Sequence, residues 1–428
     1  MIKFHDNKLI KNIFILLLSG LITKIIGMLG KIIYTRIAGI NIVSLYTMLM
    51  PTFMLIITIC QFSLPLSVSK LVAEGKHDDK KILIAAYKIG YIIDIILMSL
   101  ILILSKKLSL ILKNEILFKP ILSMIFIIPF VTTTSIQRGF LHGKEKMLPN
   151  SISNIIEEIV KMILIILLLP ISVNISNEVA LIFIILFNLV TEIISIIIMN
   201  IEIKKYIRNK NVKYDKKIEK EIINISLPTT LIKLIGSLCF FLEPIILNYT
   251  LTKSGLSKDY ILLEYGIINS YIIPVLSMPS FFFLSISSAL LPNLTKEYKN
   301  KNHKKYYDKI TKLTISSLII GIISLTVLLI FPNEILNLIY KQNYGINYLY
   351  ILGPFFILLY LNPTMQAAIL SAGKTNKLFF ISIISNLFKY SSLFILGVLG
   401  LGIYSLIFSI IIGIIISTIL SFYTVIKK

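Results

Sequence analysis

The sequence predicts an all-α polytopic membrane protein of about twelve transmembrane helices, and three observations carry that prediction. The 428 residues are 56% hydrophobic and 15% charged, with a mean hydropathy of +0.88. Soluble domains carry roughly 25% charged residues, so the deficit is large. The apolar residues come in runs of about 20, the length a helix needs to cross a bilayer. The breaks between runs are short and lysine-rich, as loops between spans are.

Twelve such runs follow in order. The first six are residues 12–34, 43–68, 83–104, 120–141, 152–173 and 179–201. After a polar break come 226–249, 261–290, 313–331, 348–370, 378–397 and 403–426. The run 261–290 is long and carries Pro274 and Pro279, which predicts a tilted or broken helix. Tryptophan is absent, so tyrosines must supply the aromatic belt at the bilayer surfaces.

Lysine and arginine number 43 against 21 acids, a net charge of +22. In a soluble protein that balance would suggest nucleic acid. Here the bases cluster in short loops, with no basic stripe of interleaved exposed aromatics, so a nucleic-acid partner is excluded. With the N-terminus inside, 28 bases fall on cytoplasmic segments and 8 on external ones. That asymmetry places both termini in the cytoplasm of a multi-pass cell-membrane protein. The stretch 106–119, with four lysines, is the one discordant external loop.

The longest polar connection, residues 204–220, divides the spans six and six. It implies an N-terminal lobe over 1–203, a basic cytoplasmic linker over 204–220 and a C-terminal lobe over 221–428. The two halves echo each other. Lys24 stands three residues before Gly27 in the first span, and Lys233 three before Gly236 in the seventh. Gln137 precedes Gly143-Lys144, and Gln366 precedes Gly373-Lys374. Six spans per half means both halves enter the membrane in the same sense, so the repeat is parallel, as in two-lobed transporters.

Intramembrane charge marks the candidate site. Gly20, Lys24, Gly27, Lys31 and Thr35 recur at helical spacing along one face of the first span, which has no acid. A lysine at mid-span costs roughly 2.5–3.5 kcal/mol on the insertion scale. That face is therefore expected to line water or hold an anion, unless Lys31 snorkels to the outer headgroups. Lys233 repeats this chemistry in the second lobe, and equivalence with Lys24 would set the two across a cavity. Glu243, followed by Pro244, reads either as an ion-coupling or lysine-paired carboxylate or as an interfacial one. Glu157 and Lys161 stand four apart with the acid first, which predicts an intrahelical pair serving packing or a gate. Asp94, Glu192, Lys88 and Lys389 are further single charges within spans, to which the sequence assigns no role.

Other chemistries lack their residues. Cys60 and Cys239 are the two cysteines, both in apolar runs, so no disulfide framework or CxxC site forms. The four histidines are scattered without ligand spacing, and no metal is expected. Gly373-Lys374-Thr375 looks like the end of a phosphate-binding loop, but Ala368 stands where its first glycine belongs. Lys24 and Lys31 interrupt the first run, so it is not a cleavable signal.

Three segments carry a family resemblance. Leu64-Pro65 followed by Ser69-Lys70-Leu71-Val72-Ala73-Glu74 resembles the segment closing the second helix of the stage V sporulation protein B family. Arg138-Gly139-Phe140-Leu141-His142-Gly143, then Met147-Leu148-Pro149 and Ile155-Ile156-Glu157 with Lys161, resembles its fourth-to-fifth helix segment, where the last position is usually arginine. Ser288-Ala289-Leu290-Leu291-Pro292 resembles the end of its eighth helix. The likeness covers nearly the whole chain. That family lies in the multidrug, oligosaccharidyl-lipid and polysaccharide (MOP) exporter superfamily, beside the lipid II flippases, whose members commonly have fourteen spans.

The resemblance implies a MATE-like flippase fold and no enzymatic activity. It implies translocation of undecaprenyl-diphosphate-linked saccharides to the outer leaflet by alternating access, for peptidoglycan, spore cortex or surface polysaccharide. Lys24 and Lys31 then take the place of cavity-lining bases, with Lys233 and Arg138 as further substrate-binding residues. Glu243, Glu157 and Lys161 take coupling or gate roles. No cofactor is implied beyond a coupling Na+ or H+, and a monomer is expected. A cation-coupled drug antiporter of the same fold would want acids on the first span. A polyprenyl-phosphate glycosyltransferase would want clustered acids on external loops, where Glu115, Glu178, Asp259, Glu264 and Glu334 are scattered. The topology is testable: a thiol introduced as Ser254→Cys should be labelled from outside, and Lys299→Cys only after permeabilisation. The reverse pattern would overturn the charge argument.

Overall fold

The computed structural model describes residues 7–207 and 215–426. Side chains are described from Ser19 onward, apart from Phe281, Phe282, Ser285, Ser288, Ala289 and Pro292, so part of the 288–292 motif lies outside the described residues. Lys3, Arg208, Lys210, Lys213, Lys427 and Lys428, which enter the charge asymmetry, lie outside them too, and of Lys8 and Lys11 only the backbone is described.

Among the described residues the regular structure is helical throughout. The helices are α1 (Asn7–Gln61), α2 (Leu64–Glu74), α3 (Asp79–Ile111), α4 (Phe118–Ser123), α5 (Ile128–Gly143), α6 (Met147–Ile175), α7 (Asn177–Ile203) and α8 (Lys216–Lys253). Then come α9 (Lys258–Gly266), α10 (Ile273–Lys299), α11 (His303–Ile330), α12 (Pro332–Tyr340), α13 (Ile346–Ser371), α14 (Thr375–Val398) and α15 (Tyr404–Ile426). Nine described helical stretches are long and apolar enough to cross a membrane, or ten with one bent pair counted as a span. One of the nine, Ser19–Glu74, holds two of the expected spans. The expected span 152–173 falls within α6, whose first half carries Glu157, Glu158 and Lys161.

Breaks in the helices have identifiable causes. α1 turns at Gly39, whose φ of 71° suits a residue without a Cβ, and this bend separates the first two expected spans. The stretch Glu115–Phe126 meets α5 at 45°, beside Pro129. Between α9 and α10 the chain makes a π-helical turn over Ile267–Ile272, just before Pro274. Proline has no N–H to give the preceding turn, and a wider turn absorbs that loss. The helix α12 was not foreseen; it fills the expected loop after 331 and buries Tyr340 against Tyr271.

Large apolar side chains point outward as well as in. Ile95, Ile96, Leu102 and Ile103 on α3 are 56% to 70% exposed. A contiguous apolar exterior of that kind belongs in lipid.

Two compact units divide the chain at 241/242, inside α8. The first turns of α8 lie in the first unit because Ile218 and Ile222 enter its core with Leu64, Val68, Phe140 and Met199. Ser226 Oγ also donates to Ser67 Oγ at 2.8 Å. In the second unit Leu294, Tyr306, Ile310, Met365 and Ala368 cluster, with the Tyr306 hydroxyl donating to the Ala368 carbonyl at 2.7 Å.

The first unit also explains two of the motif segments, which are the two sides of one helix contact. Gly139 and Gly143, four apart on α5, lie directly on α2. A Cβ on Gly139 would sit 2.6 Å from the Pro65 carbonyl oxygen, and one on Gly143 2.7 Å from that of Ser69. Small residues four apart let helix backbones approach in lipid, where no hydrophobic effect drives helices together. Gly139→Ala should therefore destabilise by about 1–3 kcal/mol through overpacking against backbone. Gly20→Ala, with no heavy atom within 4 Å of the new methyl, should leave stability unchanged or slightly raised. Thermal unfolding of the detergent-solubilised protein checks both.

Candidate functional site

Most of the intramembrane charges singled out in the sequence fall into one system in each unit. In the first, Lys24 and Lys31 extend from α1 at exposed positions, while Tyr34 and Thr35 are buried. α1 packs on α6, where Ser19 Oγ donates to Ser151 Oγ at 2.9 Å. Further along, Gly27 admits the Glu158 carboxylate: a Cβ there would lie 3.3 Å from Glu158 Oε2. Gly27 is three residues after Lys24 and four before Lys31, so this carboxylate rests on the lysine face. The sequence reading passed over Glu158, since its signal depends on α6 meeting a glycine on α1.

Behind that face, α5, α6 and α7 share a polar network. Arg138 Nη2 donates to Glu157 Oε1 at 2.6 Å, and Ser153 Oγ donates to the same oxygen at 2.9 Å. Ser153 also meets Ser195 on α7 at 2.5 Å. Lys161 Nζ donates to Asn188 Oδ1 at 2.9 Å, and Thr134 Oγ1 donates to Glu192 Oε2 at 2.5 Å. Glu192 lies within electrostatic reach of Arg138, Glu157 and Lys161.

This arrangement corrects the predicted intrahelical pair. Glu157 pairs across helices with Arg138, and Lys161 turns to Asn188 instead. A guanidinium presents donors in a planar fork and is weakly hydrated, so it outcompetes an ammonium for a carboxylate away from water. Arg138 is accordingly engaged by Glu157 rather than open to an anion in this conformation, and its buried Nε has no partner. Three carboxylates (Glu157, Glu158, Glu192) then stand with two cations (Arg138, Lys161). If all five are ionised, one negative charge is in excess, and a site away from water must offset it with a proton, a cation or the α1 lysines.

In the second unit Glu243 on α8 is 1% exposed, enclosed by its own protein, and it takes the lysine-paired form of the expected alternatives. Lys389 of α14 forms an ion pair with its Oε2, and the Tyr265 hydroxyl of α9 donates to Oε1 at 3.3 Å. The Lys389 stem packs on Gly413 of α15, where a Cβ would lie 3.3 Å from the lysine Cβ. Lys389, seen in the sequence but given no role, is thus the partner of Glu243; 146 residues separate them, so no local spacing could pair them. Lys233 and Gly236 lie on an exposed stretch of α8, with open space at Gly236 as at Gly20. Among the described residues no group of acids, histidines or cysteines is placed to hold a metal ion.

Comparison with known proteins follows the same lines. Residues 9–297 match the polysaccharide biosynthesis protein family, and residues 269–395 match the MatE family. Stage V sporulation protein B of Bacillus subtilis (strain 168) is 28% identical over 401 residues, covering 90% of this chain and 77% of its own length. Sporulation protein YkvU of the same organism is 22% identical over 405 residues, covering 91% and 88%. Among solved structures, the inward-facing conformation of a multidrug resistance MATE family transporter of the MOP superfamily superposes with a TM-score of 0.75. It is 15% identical, with 93% of this chain and 92% of that one covered. A MOP superfamily transporter from Pyrococcus furiosus, described as having a binding pocket of reverse polarity, gives 0.64 at 16% identity, covering 96% and 94%. Likeness at that identity shows the fold.

The buried pair of the second unit generates a stability prediction. Glu243→Gln strands an unpaired ammonium and should cost about 3–5 kcal/mol. Lys389→Met in the same chain should recover most of that loss, because it removes the stranded charge and leaves a neutral amide that keeps the Tyr265 hydroxyl as a partner. Thermal unfolding reads both, and a double variant as unstable as Glu243→Gln alone would contradict the pairing.

Proposed function

Because the chain belongs to the polysaccharide biosynthesis protein family, within the MOP superfamily of membrane transporters, we propose that it is a flippase for polyprenyl-diphosphate-linked saccharides. It would carry them from the cytoplasmic to the outer leaflet, in service of peptidoglycan, spore cortex or surface polysaccharide. The observation that carries this reading is the lysine face of α1. Lys24 and Lys31 are exposed beside Gly27 on a helix of 55 residues that contains no acid. A diphosphate brings two or more negative charges and many acceptor oxygens, which ammonium groups in a poorly screened cavity bind strongly.

Glu158 gives that face a resident anion. The headgroup would displace its carboxylate from Gly27, so occupied and empty states would differ in which anion lies beside the lysine face. Lys233 would offer the corresponding cation from α8. Arg138 would join only when Glu157 lets it go, which makes the Arg138–Glu157 pair and Lys161 a gate, and the Glu243–Lys389 pair its counterpart in the second unit. Exchange of partners between two conformations is what alternating access requires of a ligand with different affinity for each. The polyprenyl tail would remain in lipid, with a cation gradient or the membrane potential resetting the cycle. Both termini would face the cytoplasm.

The match of residues 269–395 to the MatE family supports a second reading, a cation-coupled drug antiporter of the same fold. The absence of any acid on α1 disfavours a cavity built for cationic drugs.

Rescue of cells depleted of their lipid II flippase tests the proposal. Wild type and Lys24→Arg should rescue, Lys24→Glu should fail at equal expression, and Glu158→Gln should retain substrate more tightly. Full rescue by Lys24→Glu would remove the basis for diphosphate binding. Dye efflux without rescue would favour the antiporter.

A further inference from the structure

Asp94 belongs to neither charge system. It lies 15 residues into α3, about 23 Å along the helix, near mid-membrane, and is 2% exposed. Thr132 Oγ1 of α5 stands 2.6 Å from its Oδ1, and its Oδ2 is buried without any hydrogen-bond partner. No ion pair reaches Asp94 among the described residues. The ionisable groups facing this junction are Cys60 on α1 and Glu192 on α7, with Tyr91 one turn away on α3 bonded to Thr133. All are acids, so none offers Asp94 a compensating positive charge. An isolated carboxylate in such a place is among the costliest groups a membrane protein can hold.

The hydrogen-bond inventory points to the way out. Thr132 Oγ1 also lies 3.3 Å from the Cys60 carbonyl oxygen. That carbonyl sits at the end of α1, where Phe62 and Ser63 take left-handed φ values of 42° and 47° and break the helix before α2. The hydroxyl has one proton and two acceptors, and an ionised Asp94 can only compete for it. A proton on Asp94 Oδ1 resolves the conflict: Asp94 donates to Thr132 Oγ1, and Thr132 donates to the Cys60 carbonyl. Every hydrogen then has an acceptor, and the orphaned Oδ2 is a neutral carbonyl oxygen rather than part of a buried anion.

We propose that Asp94 is a proton-binding site, which in this conformation carries a proton and is linked by hydrogen bonds through Thr132 to the carbonyl freed at the α1–α2 break. The ligand is a proton from the bulk phase, bound at a carboxylate oxygen and released there. Discontinuous helices whose freed carbonyls face a carboxyl are where transporters place coupling ions. Movement of α2 against α5, at the Gly139 and Gly143 contact, would pull the Cys60 carbonyl from Thr132 and undo the relay. The inference needs the membrane fold but not the saccharide substrate, so it can fail or stand independently of the flippase reading.

Infrared difference spectroscopy of the purified full-length protein in lipid, in Na+-free buffer at neutral pH, tests it. Wild type should show the carbonyl stretch of a protonated carboxylic acid that Asp94→Asn abolishes and Glu192→Gln retains. Asp94→Asn is neutral and nearly isosteric, so it should fold. Thr132→Val, which removes the acceptor, should move the band, and Thr132→Ser should keep its place. A spectrum unchanged by Asp94→Asn would overturn the proposal. So would a band that added Na+ removes at fixed pH, which would assign the site to Na+ instead.

Discussion

A charge inside hydrocarbon must be paired, neutralised or turned toward water, and this constraint organises the rest of the molecule. Most of the chain is apolar helix that lipid accepts without further specification. The positions that determine how those helices pack are the few that lipid does not accept. Arg138 reaches across to Glu157, and Glu243 is enclosed by Lys389 and Tyr265. The first ties two consecutive helices together, and the second ties helices whose paired residues stand 146 apart in sequence. A charged pair therefore acts here as an address for packing as well as a functional group.

The same constraint links structure to transport. A pair that is satisfied in one conformation can change partners only if another ion arrives or a proton is bound. Glu157 is held by Arg138, and an incoming anion would have to compete with it for that cation. Close helix contacts make such exchanges discrete. Where Gly139 and Gly143 meet the α2 backbone there is no slack for gradual deformation, a contact that favours discrete shifts between packed arrangements over continuous bending.

Much of this was legible in the sequence, for physical reasons. Hydropathy marks a span because the bilayer acts on each segment separately, and nine of the twelve expected spans lie in a single helix to within a residue, while 43–68, 120–141 and 261–290 each cross a break. The π-helical turn before Pro274 follows from a missing N–H that the sequence displays openly. What the sequence hides is any pairing that depends on the fold. The spacing of Glu157 and Lys161 suggests a pair that would form on an isolated helix. In the bundle a guanidinium from α5 arrives at 2.6 Å and takes the carboxylate. Lys389 stands alone in its span and becomes intelligible only when α8 and α14 meet. Gly139 and Pro65 were visible as motif residues, but nothing in their order says that they touch. Asp94 is similar: its isolation is plain in sequence, while the helix break that gives it a relay is not.

The central claim is that the α1 lysine face holds a diphosphate during translocation, and the direct measurement is flipping in vesicles. Purified protein would be reconstituted into liposomes with a fluorescent polyprenyl-diphosphate saccharide, alongside a neutral glycolipid bearing the same tail and sugar. Access of an external reagent to each lipid would then be followed in time. The account predicts protein-dependent exposure of the diphosphate lipid, slowed by inorganic pyrophosphate, with little movement of the neutral one. Equal movement of both lipids, or movement of the neutral lipid alone, would contradict it.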